Sequence, residues 1–503
     1  MRAAVVRLSS LVCVALAAPA AVADRPDSPG TNALPPNFAA SDTVETYASP
    51  GGDFLIHFAR SGANAVAATD ADNSGVPDFV ELAGATYDEV AEYYLGLGFR
   101  QPVKDDIVSG DNGGDARFDV YLVDFAGHAD GAFRAEECLS TSGEKCAGYM
   151  VQENDFTGYG YPTKAAAERT LASHEYFHAV QAAYHRGLGA VISEGTAVWA
   201  TESFDPGLDD LELFTYGYLD RPERSLDQEP TGPVDPFAYG SAIFFQYLTE
   251  RFEPAIVRRL WEEAELTGAG QSDPSWLPAL DALLTSEHET SFAPAFGEFA
   301  AWNLLTGTRA DPSRGYAHGG SYPFVAMKAV DAPFKDNLVR VFYASTRYFA
   351  LSPGGRDTIA AALVQGTDSA PDPVALFVAR RVGNKVSAPV GGPWNGEPVS
   401  VDASDATEVV VFIVNAAMDG DGVKPGICIG SPAEVTACRA DLGELPEGSD
   451  DLGPTAEPDV AAAEPNDAVP DADAASGDTD VVSAPEGDAA TGADTVSAAG
   501  SDT

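Results

Sequence analysis

An α+β fold is what this sequence predicts, and three observations predict it. A helical pattern from about residue 163 to about 184 carries His174-Glu175-Tyr176-Phe177-His178. Alternating or β-branched runs precede it, at Phe54-Leu55-Ile56-His57-Phe58, Phe118-Asp119-Val120-Tyr121-Leu122-Val123 and Gly148-Tyr149-Met150-Val151, and these read as strands. After a helical middle the chain turns β-rich over about 371–440, where Glu408-Val409-Val410-Val411-Phe412-Ile413-Val414 is the clearest strand.

The chain opens Met1-Arg2-Ala3-Ala4-Val5-Val6-Arg7, runs apolar over 8–18, and reaches Ala21-Val22-Ala23 before Asp24. A basic start, a short apolar core and small residues before the cut make 1–23 a signal peptide, cleaved after Ala23. The mature protein is therefore expected to be secreted, or held at the cell surface or in the periplasm. No later apolar stretch is long enough to span a bilayer. The 503 residues carry a formal net charge of −48, which excludes nucleic-acid binding through phosphates and disfavours anionic membranes. Beyond Cys13, the cysteines are Cys138, Cys146, Cys428 and Cys438. An even number in an exported chain implies disulfides. Of the three pairings, sequence proximity favours Cys138 with Cys146 and Cys428 with Cys438. The tight C-x-x-C pairs of a structural zinc site are absent.

Residues 24–45, rich in Pro, Ala and Asn, are expected to be a disordered leader. Residues 46–370 form the main domain, 371–440 a small all-β domain, and 441–503 a disordered acidic tail. Beyond Arg439 the chain has no Lys or Arg and almost no large apolar residue, so it cannot bury enough surface to fold.

Asp70-Ala71-Asp72-Asn73-Ser74-Gly75-Val76-Pro77-Asp78 leads to Glu81. Oxygen-bearing residues stand at positions 1, 3, 5, 9 and 12 of a loop with Gly at 6, the spacing of an EF-hand-like site. Asp70, Asp72, Ser74, the Val76 carbonyl, Asp78 and Glu81 are the candidate calcium ligands. The other reading is an Asx-rich turn capping the helix predicted over 79–95.

The His174-to-His178 stretch carries the chemistry. Thr163 can cap its helix, and Gly187 and Gly189 end it. Residues four apart on a helix differ by about 40° of rotation, so both imidazoles share a face. Two neutral imidazoles can hold zinc, and Glu175 stands where a base for a metal-activated water is needed. A third ligand is required. His185 lies too far along the axis. Glu194, sixteen residues after His178, follows two glycines that let the chain double back and opens a second predicted helix. Glu202 is the alternative, or a partner for a histidine N–H.

With His174-Glu175-Tyr176-Phe177-His178-Ala179-Val180-Gln181 followed by Ser193-Glu194-Gly195-Thr196-Ala197-Val198-Trp199, the chain resembles the gluzincin clan of zincin-like metallopeptidases. More narrowly it resembles a family of secreted bacterial metalloproteases, through Asn73 to Glu81, Phe118 to Asp124, Gly148 to Phe156 and Trp302 to Arg309. The resemblance covers roughly residues 45–330. It implies a zincin-like catalytic domain with His174, His178 and Glu194 on zinc and Glu175 as general base. By analogy, the strand just before the active-site helix is the edge on which substrate lies. Asp235-Pro236-Phe237-Ala238-Tyr239-Gly240-Ser241 resembles the aminopeptidase segment that supplies an oxyanion-steadying tyrosine, which makes Tyr239 a second catalytic candidate; otherwise it is a packed tyrosine at a helix start. The expected function is a secreted zinc-dependent peptidase acting on protein or peptide, with Zn2+ and calcium as cofactors. The alternative is a non-catalytic surface, adhesion or calcium-dependent binding protein that keeps a structural zinc.

Overall fold

The first five strands are β1 (Val44–Ala48), β2 (Phe54–Ala59), β3 (Phe118–Val123), β4 (Gly131–Cys138) and β5 (Cys146–Glu153). They were located in a computed structural model, which describes residues 25–29, 34–139, 145–230, 235–268, 275–364 and 373–443. Together they form one sheet in the order β1-β2-β3-β5-β4. β2, β3 and β5 run parallel, while β1 and β4 are antiparallel to their neighbours. Strand alternation divides the side chains between two faces. Val120, Leu122 and Met150 join the main core, whereas Tyr121, Val123, Tyr149 and Val151 pack with Phe38 on the other face.

Helices α1 (Asp78–Gly96), α2 (Lys164–Ala182), α3 (Ala190–Phe204), α4 (Asp210–Leu219), α5 (Pro236–Gly240), α6 (Ala242–Arg251), α7 (Ile256–Gly268), α8 (Leu277–Glu287) and α9 (Phe292–Trp302) follow in chain order, with α1 falling between β2 and β3. Thr163 caps α2 by accepting from the Ala166 N–H at 3.0 Å. The turn into α3 passes through Gly189 at φ 96°, a left-handed conformation that suits glycine. α3 then lies close to α6: a Cβ on Gly195 would stand 2.3 Å from Ser241 Oγ.

Ten further strands make two sheets. One contains β6 (Lys328–Ala329), β8 (Ser345–Leu351), β10 (Val374–Val382), β11 (Lys385–Val386), β12 (Val390–Pro393) and β14 (Glu408–Asn415). The other contains β7 (Phe334–Asp336), β9 (Thr358–Val364), β13 (Val399–Asp402) and β15 (Gly426–Gly430). Between them lies an apolar layer that includes Ile359, Leu363, Val411, Ile413 and Ile427. α10 (Pro432–Gly443) covers the outside of β9 and β15 through Val435 and Leu442. Disulfides join Cys138 to Cys146 and Cys428 to Cys438, the pairing that proximity favours. No helix among the described residues is long and apolar enough to cross a membrane.

Three expectations need correction. Of the leader expected over 24–45, residues 25–29 and 34–45 are described, and they are anchored at Arg25, which is 1% exposed, pairs with Asp105, Asp119 and Glu136, and lies against the Tyr149 ring. Composition hid this, because a single arginine decides where the segment goes. The β region expected to begin at 371 begins at Lys328. Residue 370 falls between β9 and β10, and the face of β8, β10 and β14 turned towards the helices shares the main core through Tyr348, Ala379 and Phe412. Thirdly, β5 is not the sheet edge; it lies between β3 and β4, and β4 is the edge. The predicted signal peptide lies outside the described residues, as does the predicted tail from 444 onward. Asp441 to Gly443 belong to α10.

Candidate metal centre

α2 and α3 pack side by side, and their facing sides bring three donors together. His174 Nε2 lies 3.3 Å from Glu194 Oε2, and His178 Nε2 lies 3.6 Å from the same oxygen. Glu194 sits in the second turn of α3, since the helix begins at Ala190, earlier than Ser193. His174, Glu175 and Glu194 are buried, while His178 is open at one side. Burial pushes the His178 imidazole down, but Glu194 beside it prevails and lifts it to about 9. Burial pushes the Glu194 carboxyl up, but the imidazoles, His178 foremost, hold it at about 2. A buried carboxylate shared by two imidazoles is a His-His-Glu donor set of the kind zinc takes, and the residues fit that ion.

His178 is oriented from behind. Gln181 Oε1 lies 2.8 Å from His178 Nδ1; with Nδ1 held as the proton donor to Gln181, Nε2 is the nitrogen that a bound ion would take. The Gln181 amide donates to the Ser193 carbonyl at 2.8 Å and to Thr196 Oγ1 at 2.9 Å, and the Trp261 indole donates to Thr196 at 3.2 Å. One glutamine thus ties the ligand helix α2 to α3. It stands three residues after His178, on the same side of the helix, and that spacing was the signal for it.

Glu175 Oε2 accepts from the Phe133 backbone N–H at 3.0 Å. Phe133 is in edge strand β4, which comes close to α2 because residue 131 is glycine: a Cβ there would stand 2.8 Å from Leu171. Two buried acids outside any motif sit near. Burial pushes Asp130 up to about 6, eased by the Tyr161 hydroxyl and reinforced by Glu175. Burial also pushes Asp210 up to about 6, against the pull of His174.

Tyr239 reaches this site with its ring stacked on His174, centroids 6.0 Å apart and planes at 15°, and Phe214 on the ring at 5.0 Å. Glu202 is not with the histidine pair. It lies near the far end of α3, where a ligand atom of Glu202, one of Glu212 and one of His318 fall within 4.8 Å of one another.

In the acidic loop, ligand atoms of Asp70, Asp72 and Asp78 also come within 4.8 Å of one another, and Glu81 is outside that group. The Ser74 N–H is 3.0 Å from both Asp70 Oδ1 and Asp72 Oδ1, the Gly75 N–H donates to Asp70 Oδ2 at 3.0 Å, and the Ser74 hydroxyl donates to the Val76 carbonyl at 3.3 Å. The N-cap of α1 is Pro77, with no side-chain hydrogen bond to the helix end, so the loop's Asx residues do not serve as that cap.

No protein-family profile matches the chain, and no curated protein sequence matches it. Among solved structures, the CUB2 domain of MASP-1 bound to Ca2+ aligns at 11% identity over 21% of this chain and 97% of that one, with a TM-score of 0.14. A GH115 4-O-methyl-α-glucuronidase, BtGH115A, aligns at 12% identity over 53% of this chain and 40% of that one, also at 0.14. Likenesses this distant carry no argument about fold or function.

Proposed function

We propose that this chain is an exported zinc-dependent peptidase with a zincin-like catalytic region of the gluzincin type, and that His174, His178 and Glu194 hold the zinc. The reading rests on one observation above the rest: Glu194 Oε2 faces both imidazoles of H-E-x-x-H from a neighbouring helix. Zinc, when bound, supplies Lewis acidity and lowers the pKa of water. The chain's own residues do the rest. Glu175 takes the proton of the attacking water and returns it to the leaving amine, while the Phe133 N–H fixes one of its oxygens. Gln181 keeps His178 in one tautomer. Tyr239, stacked on His174, steadies the developing oxyanion. β4, at the sheet edge beside Glu175, is the strand along which an extended peptide lies by strand addition. Two disulfides suit an oxidising compartment and so support export. Asp70, Asp72 and Asp78, with Ser74 and the Val76 carbonyl, hold a calcium ion that fixes the loop before α1.

The test is a peptide-library assay of wild type against Glu175→Gln, with zinc content measured on both. The variant is expected to lose activity by about a hundredfold or more while keeping its zinc. Equal cleavage by the two proteins would overturn the mechanism. His178→Ala is expected to lose the zinc itself.

A further inference from the structure

We infer that Glu202, Glu212 and His318 form a second site for a first-row divalent transition ion, separate from the histidine pair. One ligand atom from each of the three lies within 4.8 Å of the others. Two of the carboxylate oxygens there are orphans. Glu202 is 4% exposed, and its Oε2 is buried with no hydrogen-bond partner; Glu212 Oε2 is in the same condition. The Tyr322 hydroxyl, electrostatically coupled to both glutamates, is also buried and unpartnered. Buried polar atoms without partners cost stability, and two neighbouring buried carboxyls cannot both ionise without a further cost. A divalent cation between the glutamates relieves both.

The surroundings are acidic throughout. Burial pushes Glu202 up to about 8, and Glu212, Asp210, Asp209 and Glu250 add to that. The largest influences on it besides burial are all carboxylates. The donor set selects the ion. An imidazole with two carboxylates suits Zn2+, Mn2+ or Co2+, whereas calcium takes oxygen ligands. His318 is exposed, which gives the ion a way in from solvent.

Glu202 lies eight residues beyond Glu194 on α3, about 12 Å along the helix axis at 1.5 Å per residue. That is too far for the bridged two-metal arrangement, whose ions stand about 4 Å apart. The second ion would instead fasten α4 and the 318–322 segment to the end of α3. Its role is to hold the helix that carries Glu194.

The experiment is zinc stoichiometry on the full chain, after chelation and reloading with ZnCl2 in buffer containing calcium to fill the acidic loop. Wild type, His318→Ala, Glu212→Gln and His178→Ala are compared by elemental analysis and by titration with Zn2+ alone. His318→Ala changes an exposed side chain, and its folding is checked by circular dichroism without metal. His318→Ala and Glu212→Gln are each expected to lose one zinc equivalent, or to bind it at least tenfold more weakly, and to lose the rise in Tm that this equivalent confers. Zinc binding unchanged from wild type in both variants overturns the proposal and leaves Glu202 and Glu212 as a proton-sharing carboxyl pair. The His178→Ala arm reads the other site separately. An equivalent lost there but not in His318→Ala sinks only the second site; the reverse sinks only the first.

Discussion

The part of the molecule from Arg25 to Asp235 and the two-sheet part from Lys328 to Gly430 are stabilised in opposite ways. Every fully buried charged side chain among the described residues belongs to the first part; in the second, the fully buried polar residues are Ser345, Thr346 and Asn415. The sheets keep their ion pairs, such as Arg356 with Glu434 and Arg381 with Glu408, at or near the surface and fill the space between with Val, Ile and Leu. Burying a charge costs several kcal/mol unless a partner is close. A region that does so repeatedly is arranged around something other than stability alone. The difference sets the region that holds the proposed site apart by its buried charge, without reference to any motif.

Four substitutions sharpen or break this contrast. The largest effect is expected at Arg25→Met, which strands Asp105, Asp119 and Glu136 without their cation; a loss of about 3–5 kcal/mol is expected in urea unfolding. A loss below 1 kcal/mol would mean that these carboxyls are neutral in the fold. Ile413→Ala opens a cavity between the sheets and should cost about 2–4 kcal/mol, with no dependence on pH between 5 and 8.

Glu168→Gln comes next and has the opposite sign. Burial pushes the Glu168 carboxyl up to about 8, although the Gln152 amide pulls it down. Its folded pKa thus lies above the unfolded value of about 4.3. The folded chain keeps a proton that the unfolded chain gives up, so the stability this group contributes below pH 4 is lost as pH rises towards 8. The glutamine variant should show a flatter profile and a higher urea midpoint at pH 8 than wild type, and identical profiles would refute the shift. The smallest change is expected at Arg356→Gln, whose pair with Glu434 is half-buried near the surface, at no more than about 1 kcal/mol.

How much of this could be read beforehand depended on how each element is used. The helix that carries the His pair was legible because its signals are local, Thr163 at its start and the histidines at i and i+4; it ends at Ala182, ahead of Gly187, and Gly189 instead leads into α3. Glu194 was legible for the same reason. β4 was not, because an edge strand half open to solvent need not alternate, and Gly131-Ala132-Phe133-Arg134-Ala135-Glu136 has no clear period. β9 is not legible, because Ala-rich Thr358-Ile359-Ala360-Ala361-Ala362-Leu363 reads equally well as helix. Asp130 and Asp210 belong to no motif, and only burial singles them out. Glu202 was noticed, but its partners Glu212 and His318 come from α4 and a loop that no spacing rule connects.

The Arg25 anchor has a consequence for how the chain folds. Its partners stand 80, 94 and 111 positions further along. The segment next to the predicted cleavage point is therefore among the first to emerge and among the last to settle, since its pocket is complete only once β5 has paired with both β3 and β4, which carry Asp119 and Glu136. Closing so long a loop adds only slowly to the entropic cost, but it makes that step non-local and slow relative to helix formation.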